Sequence, residues 1–167
     1  MLFEGIDPGR MALVVVWTVL MAVLGTALAG NAVRTWYPTL EKSRIEIPIP
    51  LFAVVGLVFY VVDAIVGYRL LERLDVTPTA ALVLVALVVV MLYNELWNAA
   101  LFRLRSPFAA LVALLGFLAP LAILLVGCAL VDGVSLVLIG VYVAWVVGYD
   151  IPWMYGLWRA NGGSTPD

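Results

Sequence analysis

Three carboxylates stand within long apolar stretches of this chain: Asp63, Glu95 and Asp150. None has a Lys, Arg or His nearby in its own stretch. A carboxylate at the middle of a membrane costs about 2.5–3.5 kcal/mol on insertion scales and marks a polar site or a buried pair. Two chemistries suit such groups. One is structural, with protonated carboxyls hydrogen-bonded between helices. The other is functional, a proton path or a seat for a cationic group.

The same stretches carry aligned aromatics and amides. Phe52, Gly56, Tyr60, Asp63 and Gly67 are spaced four, four, three and four, and so fall along one helical face. Asn94, Trp97 and Asn98 share a second face, with Glu95 about 100° to one side. Tyr142, Trp145, Tyr149 and Trp153 form a third, at spacings of three, four and four. Indole and phenol rings offer stacking surfaces for a planar molecule, and amides orient its polar edge. The structural alternative is helix packing, with small residues allowing close approach and amides acting as interhelical glue.

Other chemistries are excluded by composition. Histidine is absent, removing the commonest general base at neutral pH and the commonest metal ligand. The single cysteine, Cys128, lies in an apolar run, so neither an intrachain disulfide nor a cysteine-based zinc site is available. No metal site is expected. The nine Lys and Arg are scattered in a chain of net charge −2, which excludes a nucleic-acid surface.

The elements that position these residues follow from the same composition. Of 167 residues, 65% are hydrophobic and 12% charged, and the mean hydropathy is +1.13. A soluble domain of this size could not hide so much apolar surface. Spanning a hydrocarbon core of about 30 Å takes about 20 apolar residues as a helix. Five stretches qualify, at 11–29, 50–71, 79–102, 107–131 and 134–158, followed by a polar tail at 159–167. Pro50, Pro78 and Pro107 stand at or just before helix starts, and Asp132-Gly133 separates the last two runs. Pro152 removes a hydrogen bond to Gly148 and predicts a kink beside Asp150. The short connections predict antiparallel neighbours in one bundle. The expectation is an all-α membrane protein, a five-transmembrane-helix bundle forming a single domain over 1–167.

Ala27-Leu28-Ala29 before Gly30 resembles a signal-peptidase site, but Glu4 and Asp7 precede the run with only Arg10 as a basic residue. That pattern favours a retained helix. Arg34, Lys42, Arg44, Arg103, Arg105 and Arg159 fall on one side of the membrane and Arg10, Arg69 and Arg73 on the other. The positive-inside rule then puts the C-terminus in the cytoplasm and the N-terminus outside, with a prokaryotic cytoplasmic membrane as the expected location. The longest loop, from about Gly30 to Ile49, holds an exposed Trp36-Tyr37 pair among charges. It reads either as an interfacial aromatic belt or as a lid over a ligand entering the bundle.

Taken in order, these residues resemble the TspO/MBR family, the translocator or tryptophan-rich sensory proteins, also called peripheral-type benzodiazepine receptors. Trp36, Tyr37, Leu40 and Lys42 match the family's first loop, with Ser43 in place of a proline. Pro48, Phe52, Phe59 and Tyr60 match its second helix; Asn94, Trp97 and Phe102 its third; Tyr142 and Trp145 its fifth. The chain departs from the pattern at Gly56, where a Trp is usual, and at Asp63, where an apolar residue is usual. Further departures are Val90, Val141, Tyr149 and Pro152-Trp153.

The resemblance implies a homodimeric five-helix protein in the lipid bilayer, binding flat hydrophobic small molecules such as porphyrins or sterol-like lipids as a sensor or transporter. Trp36, Tyr37 and Leu40 would form the lid; Phe52, Tyr60, Asn94, Trp97, Tyr142, Trp145 and Tyr149 would line the pocket. No cofactor is required. Without histidine to ligate iron, a metal-free ring such as protoporphyrin IX is the expected tetrapyrrole. Two alternatives remain open: light- or oxygen-dependent breakdown of bound porphyrin, and a small proton-coupled transporter using Asp63, Glu95 and Asp150.

Overall fold

The computed structural model describes residues 7–163; Glu4 and the end of the polar tail, Ser164–Asp167, lie outside the described residues. Five long helices dominate: α1 (Pro8–Ala29), α2 (Ile49–Arg73), α3 (Thr79–Arg103), α4 (Pro107–Val131) and α5 (Gly133–Ala160). Each is long and apolar enough to cross a membrane, and every boundary lies within three residues of the sequence-based expectation. Among the described residues there is no strand.

Local chemistry sets the ends. The Asp7 carboxylate accepts from the amides of Gly9 (2.8 Å) and Arg10 (3.0 Å), capping α1 ahead of Pro8. Gly30, at φ 56°, stops the same helix in a conformation that side-chain-bearing residues avoid. Pro50 occupies the first turn of α2 and Pro107 that of α4, where Ser106 accepts from the Ala109 amide at 3.1 Å.

Between α4 and α5 a single residue, Asp132, makes the turn. Its carboxylate accepts from the Ser135 amide (2.9 Å), capping α5, and from Arg69 Nε (2.7 Å) and Nη2 (2.8 Å), tying α5 to the end of α2. Arg73 adds a third contact at 3.2 Å. The Arg69 guanidinium holds the Asp132 carboxyl well below the usual carboxylate range. Two of the three basic residues on that side are thus held by one aspartate.

The packing of α1 on α2 and α3, of α3 on α4, of α4 on α5, and of α5 on α2 closes a ring in the order α1, α2, α5, α4, α3. Small and branched apolar side chains fill its centre, among them Val66, Leu70, Leu87, Val90, Leu124 and Ile139, all essentially buried. The outer faces are the reverse of a soluble protein's. Leu82 and Leu130 are 73% and 74% exposed, and similar side chains line every helix. Apolar surface on that scale faces lipid. The chain is an integral membrane protein.

Two π-helical turns interrupt the α pattern, at Ala99–Arg103 in α3 and at Val146–Asp150 in α5. The second ends two residues before Pro152, whose ring nitrogen cannot donate to Gly148. The chain takes up the missing bond by widening one turn, with the Ile151 amide bonding back to the Val146 carbonyl. The predicted irregularity beside Asp150 therefore takes the form of a π turn. The one in α3 carries no proline signal; its last donor, the Leu104 amide, reaches the Ala99 carbonyl at 3.1 Å.

Candidate ligand-binding cavity

Within the half of the bundle nearest the first loop lies a cavity of about 380 Å³. Four helices wall it. The last turns of α1 contribute Ala22, Gly25, Thr26 and Ala29, a strip of small residues that leaves room for what stands opposite. Along α2 the wall is Phe52, Gly56, Phe59, Tyr60 and Asp63; α3 adds Asn94, Trp97 and Asn98; α5 adds Tyr142, Trp145 and Asp150. Thr26, Ala53 and Leu57 on its rim are exposed, so the cavity opens between α1 and α2 toward the lipid-facing surface.

Its polar groups form a connected set. Glu95, fully buried, accepts from the Tyr60 hydroxyl (2.6 Å) and from the amide nitrogens of Asn94 and Asn98 (3.4 Å each). Asn94 in turn accepts from the Tyr142 hydroxyl at 2.8 Å. Phe59 stacks on the Tyr142 ring with centroids 4.3 Å apart and touches Trp145 at 6.1 Å. The Trp145 indole donates to Asp150 at 2.9 Å. Asp63 is the exception. It is 4% exposed and lines the cavity, yet its Oδ1 is buried with no hydrogen-bond partner. It also borders a smaller apolar pocket of about 180 Å³ between α1, α2 and α3, lined by Trp17, Gly67 and Met91 among others.

Of the residues singled out from sequence, Phe52, Tyr60, Asn94, Trp97, Tyr142 and Trp145 come together around this space, with Asp63 and Asp150. Glu95 stands behind the wall, reached through Tyr60 and the two amides. Tyr149 does not line it. The π turn places one extra residue between Trp145 and Asp150, so the regular aromatic stripe breaks and Asp150 takes the cavity-facing position. Tyr149 instead packs on Trp145 and Trp153, and its hydroxyl accepts from the Ile47 amide at 3.0 Å.

The first loop also departs from the expected exposed pair. Tyr37 is 2% exposed and packs edge-on against Phe102. Its hydroxyl bonds Glu46 at 3.1 Å, and Lys42 both covers its ring and donates to its backbone carbonyl. Burial pushes the Tyr37 phenol up and the Lys42 ammonium down from their ordinary values. Trp36 and Leu40 are half-buried in the same cluster, with Trp153, Met154 and Leu157. The loop thus adheres to α3, α4 and α5 beside the cavity rather than lining it. Phe52, Trp97 and Trp153 join the two regions, with ring centroids 5.0–6.2 Å apart. Asn161 fastens the loop to the end of α5 through both the amide and the carbonyl of Glu41, at 3.0 and 2.9 Å.

Phe59, Asn98, Gly25 and Thr26 complete the wall without having stood among the expected ligand contacts. Phe59 lies one position from Tyr60, and its contribution shows only once α5 is packed opposite. The α1 residues had a signal of their own, small side chains at 22, 25, 26 and 29 on one helical face.

Fold and cavity define a small five-helix membrane protein with an aromatic-walled chamber between its helices. Residues 12–150 match the profile of the TspO/MBR family, and the chain belongs to that family. The match ends at the last residue of the π turn in α5. No curated protein matches the chain.

Proposed function

We propose that the protein binds a flat, hydrophobic ring molecule, a tetrapyrrole or a sterol-like lipid, in this cavity and serves as its carrier or sensor. The observation that supports the reading is the wall itself. The side chains of Phe52, Phe59, Trp97 and Trp145 border a space of about 380 Å³, within the range of small-molecule sites, and Asn94 and Asn98 line it as polar groups. The opening between α1 and α2 suits a ligand that arrives dissolved in the bilayer. Membership of the TspO/MBR family agrees with a membrane receptor or carrier role. The orientation that goes with this reading has the C-terminus in the cytoplasm of a prokaryotic cell, following the Lys and Arg distribution; the working unit is a homodimer.

The test is a dark titration of detergent-purified protein with protoporphyrin IX, following tryptophan fluorescence. Saturable quenching that weakens at least tenfold in Trp97→Phe and Trp145→Phe, but not in Trp17→Phe, supports the assignment. Quenching that never saturates, or that ignores the two lining tryptophans, overturns it for tetrapyrroles.

A further inference from the structure

The cavity wall carries carboxyl groups and no basic one. Asp63 and Asp150 line it, and Glu95 stands behind Tyr60, from whose hydroxyl it accepts a hydrogen bond. None of the basic residues on the surrounding helices lines the cavity. Arg69 is paired with Asp132, and Arg103 donates to the Ala27 carbonyl at 3.2 Å. Among the described residues no group of His, Cys, Asp and Glu side chains is arranged to hold a metal ion.

The three carboxylates are not equivalent. Three neutral donors satisfy Glu95 and an indole N–H satisfies Asp150. Asp63 is buried, borders the cavity and leaves Oδ1 without a donor. An unpaired acceptor of this kind is costly in a low-dielectric setting unless a ligand supplies the missing partner. The aromatic faces around it add attraction for a delocalised cation.

We propose that the cavity takes a flat aromatic cation, its protonated nitrogen seated against Asp63 and its rings against the aromatic side chains that line the chamber. This rests on the cavity being a ligand site and names the charge of what enters it. A ring bearing carboxylates would bind with those groups turned to the mouth, away from Asp63.

The test uses three probes with one ring skeleton: 9-aminoacridine, a cation at neutral pH; acridine, neutral; and acridine-9-carboxylate, an anion. Binding is measured by equilibrium dialysis against wild-type protein, Asp63→Asn and Gly56→Trp in phosphatidylcholine nanodiscs, with empty nanodiscs as reference. The expected result is binding of 9-aminoacridine at least tenfold tighter than acridine, with the carboxylate weakest. In Asp63→Asn the preference falls below twofold while acridine is unaffected. Equal binding of the three probes to the wild type overturns the inference without needing any variant, and leaves the cavity reading intact if Gly56→Trp abolishes that binding. A cation preference undiminished in Asp63→Asn also overturns it. Saturable binding by none of the probes, or acridine binding indifferent to Gly56→Trp, removes the cavity reading and this inference together.

Discussion

Gly25 on α1 faces Glu95 on α3 so closely that a Cβ on the glycine would overlap the carboxylate Oε2 and crowd the Tyr60 hydroxyl. The absence of a side chain at one position is therefore what lets the buried carboxylate keep its bond to Tyr60. Gly25→Ala should destabilise the protein by about 1–3 kcal/mol, the usual range for overpacking. Gly56→Ala, where a Cβ meets nothing within 4 Å, should be neutral or slightly stabilising. Thermal unfolding of both variants in one detergent checks the contrast.

Gly56 lies on the cavity wall in open space. A tryptophan there should occupy the chamber and leave the bundle folded. Gly56→Trp is expected to lower affinity for a ring ligand at least tenfold with no loss of thermal stability. Unchanged affinity would place the binding elsewhere.

The Asp132 pair predicts an acid-range slope. The carboxyl's value in the folded protein lies below its unfolded value near 3.8, so its contribution is fully present above that pH. The stabilisation is lost as pH falls through the lower, folded value. Wild-type stability should fall below about pH 4 along a slope that Asp132→Asn lacks. Asparagine keeps the helix cap, so Asp132→Asn isolates the ion pair, worth about 1–3 kcal/mol at neutral pH. Asp132→Ala should lose about 1 kcal/mol more. Denaturation in bicelles at several pH values measures both.

Asn161 joins the end of α5 to Glu41 through two hydrogen bonds. Asn161→Ala should loosen the first loop and speed tryptic cleavage after Arg44, an exposed position, while the helices stay protected. A cleavage rate equal to wild type would show that the aromatic cluster around Tyr37 holds the loop without it.

The helical frame was legible because apolar length alone determines what can span a bilayer, and Pro50, Pro107 and Asp132 mark ends by simple chemistry. The α2 face was legible for a related reason. In an unbroken helix, spacing gives direction, and Phe52, Gly56, Tyr60 and Asp63 do share one wall. The method failed where the helix was not regular. Spacing aligned Tyr149 with Trp145, but the π turn put Asp150 there. It expected an exposed Trp36-Tyr37 pair in the loop, whereas Tyr37 is buried against Phe102 and Glu46, partners that no local pattern names. Nor could it show that Glu95, though beside the amide face, is drawn into it by Tyr60, Asn94 and Asn98.

The π turn at Val146–Asp150 makes chain length a variable in its own right. Wound as a regular α-helix with every residue kept, this segment would rotate everything downstream by about 100° relative to everything upstream. Tyr142 and Trp145 would keep their places in the chamber, while Asp150, Trp153 and Asn161 would swing together off their present partners. Closing the turn, with no ligand contact changed and no aromatic removed, would thus unhook the loop and strip the chamber of a carboxylate at a stroke, and deleting one residue as well would cancel the rotation. Conversely, the extra residue lets α5 serve two masters, one half phased to the chamber and the other to the loop.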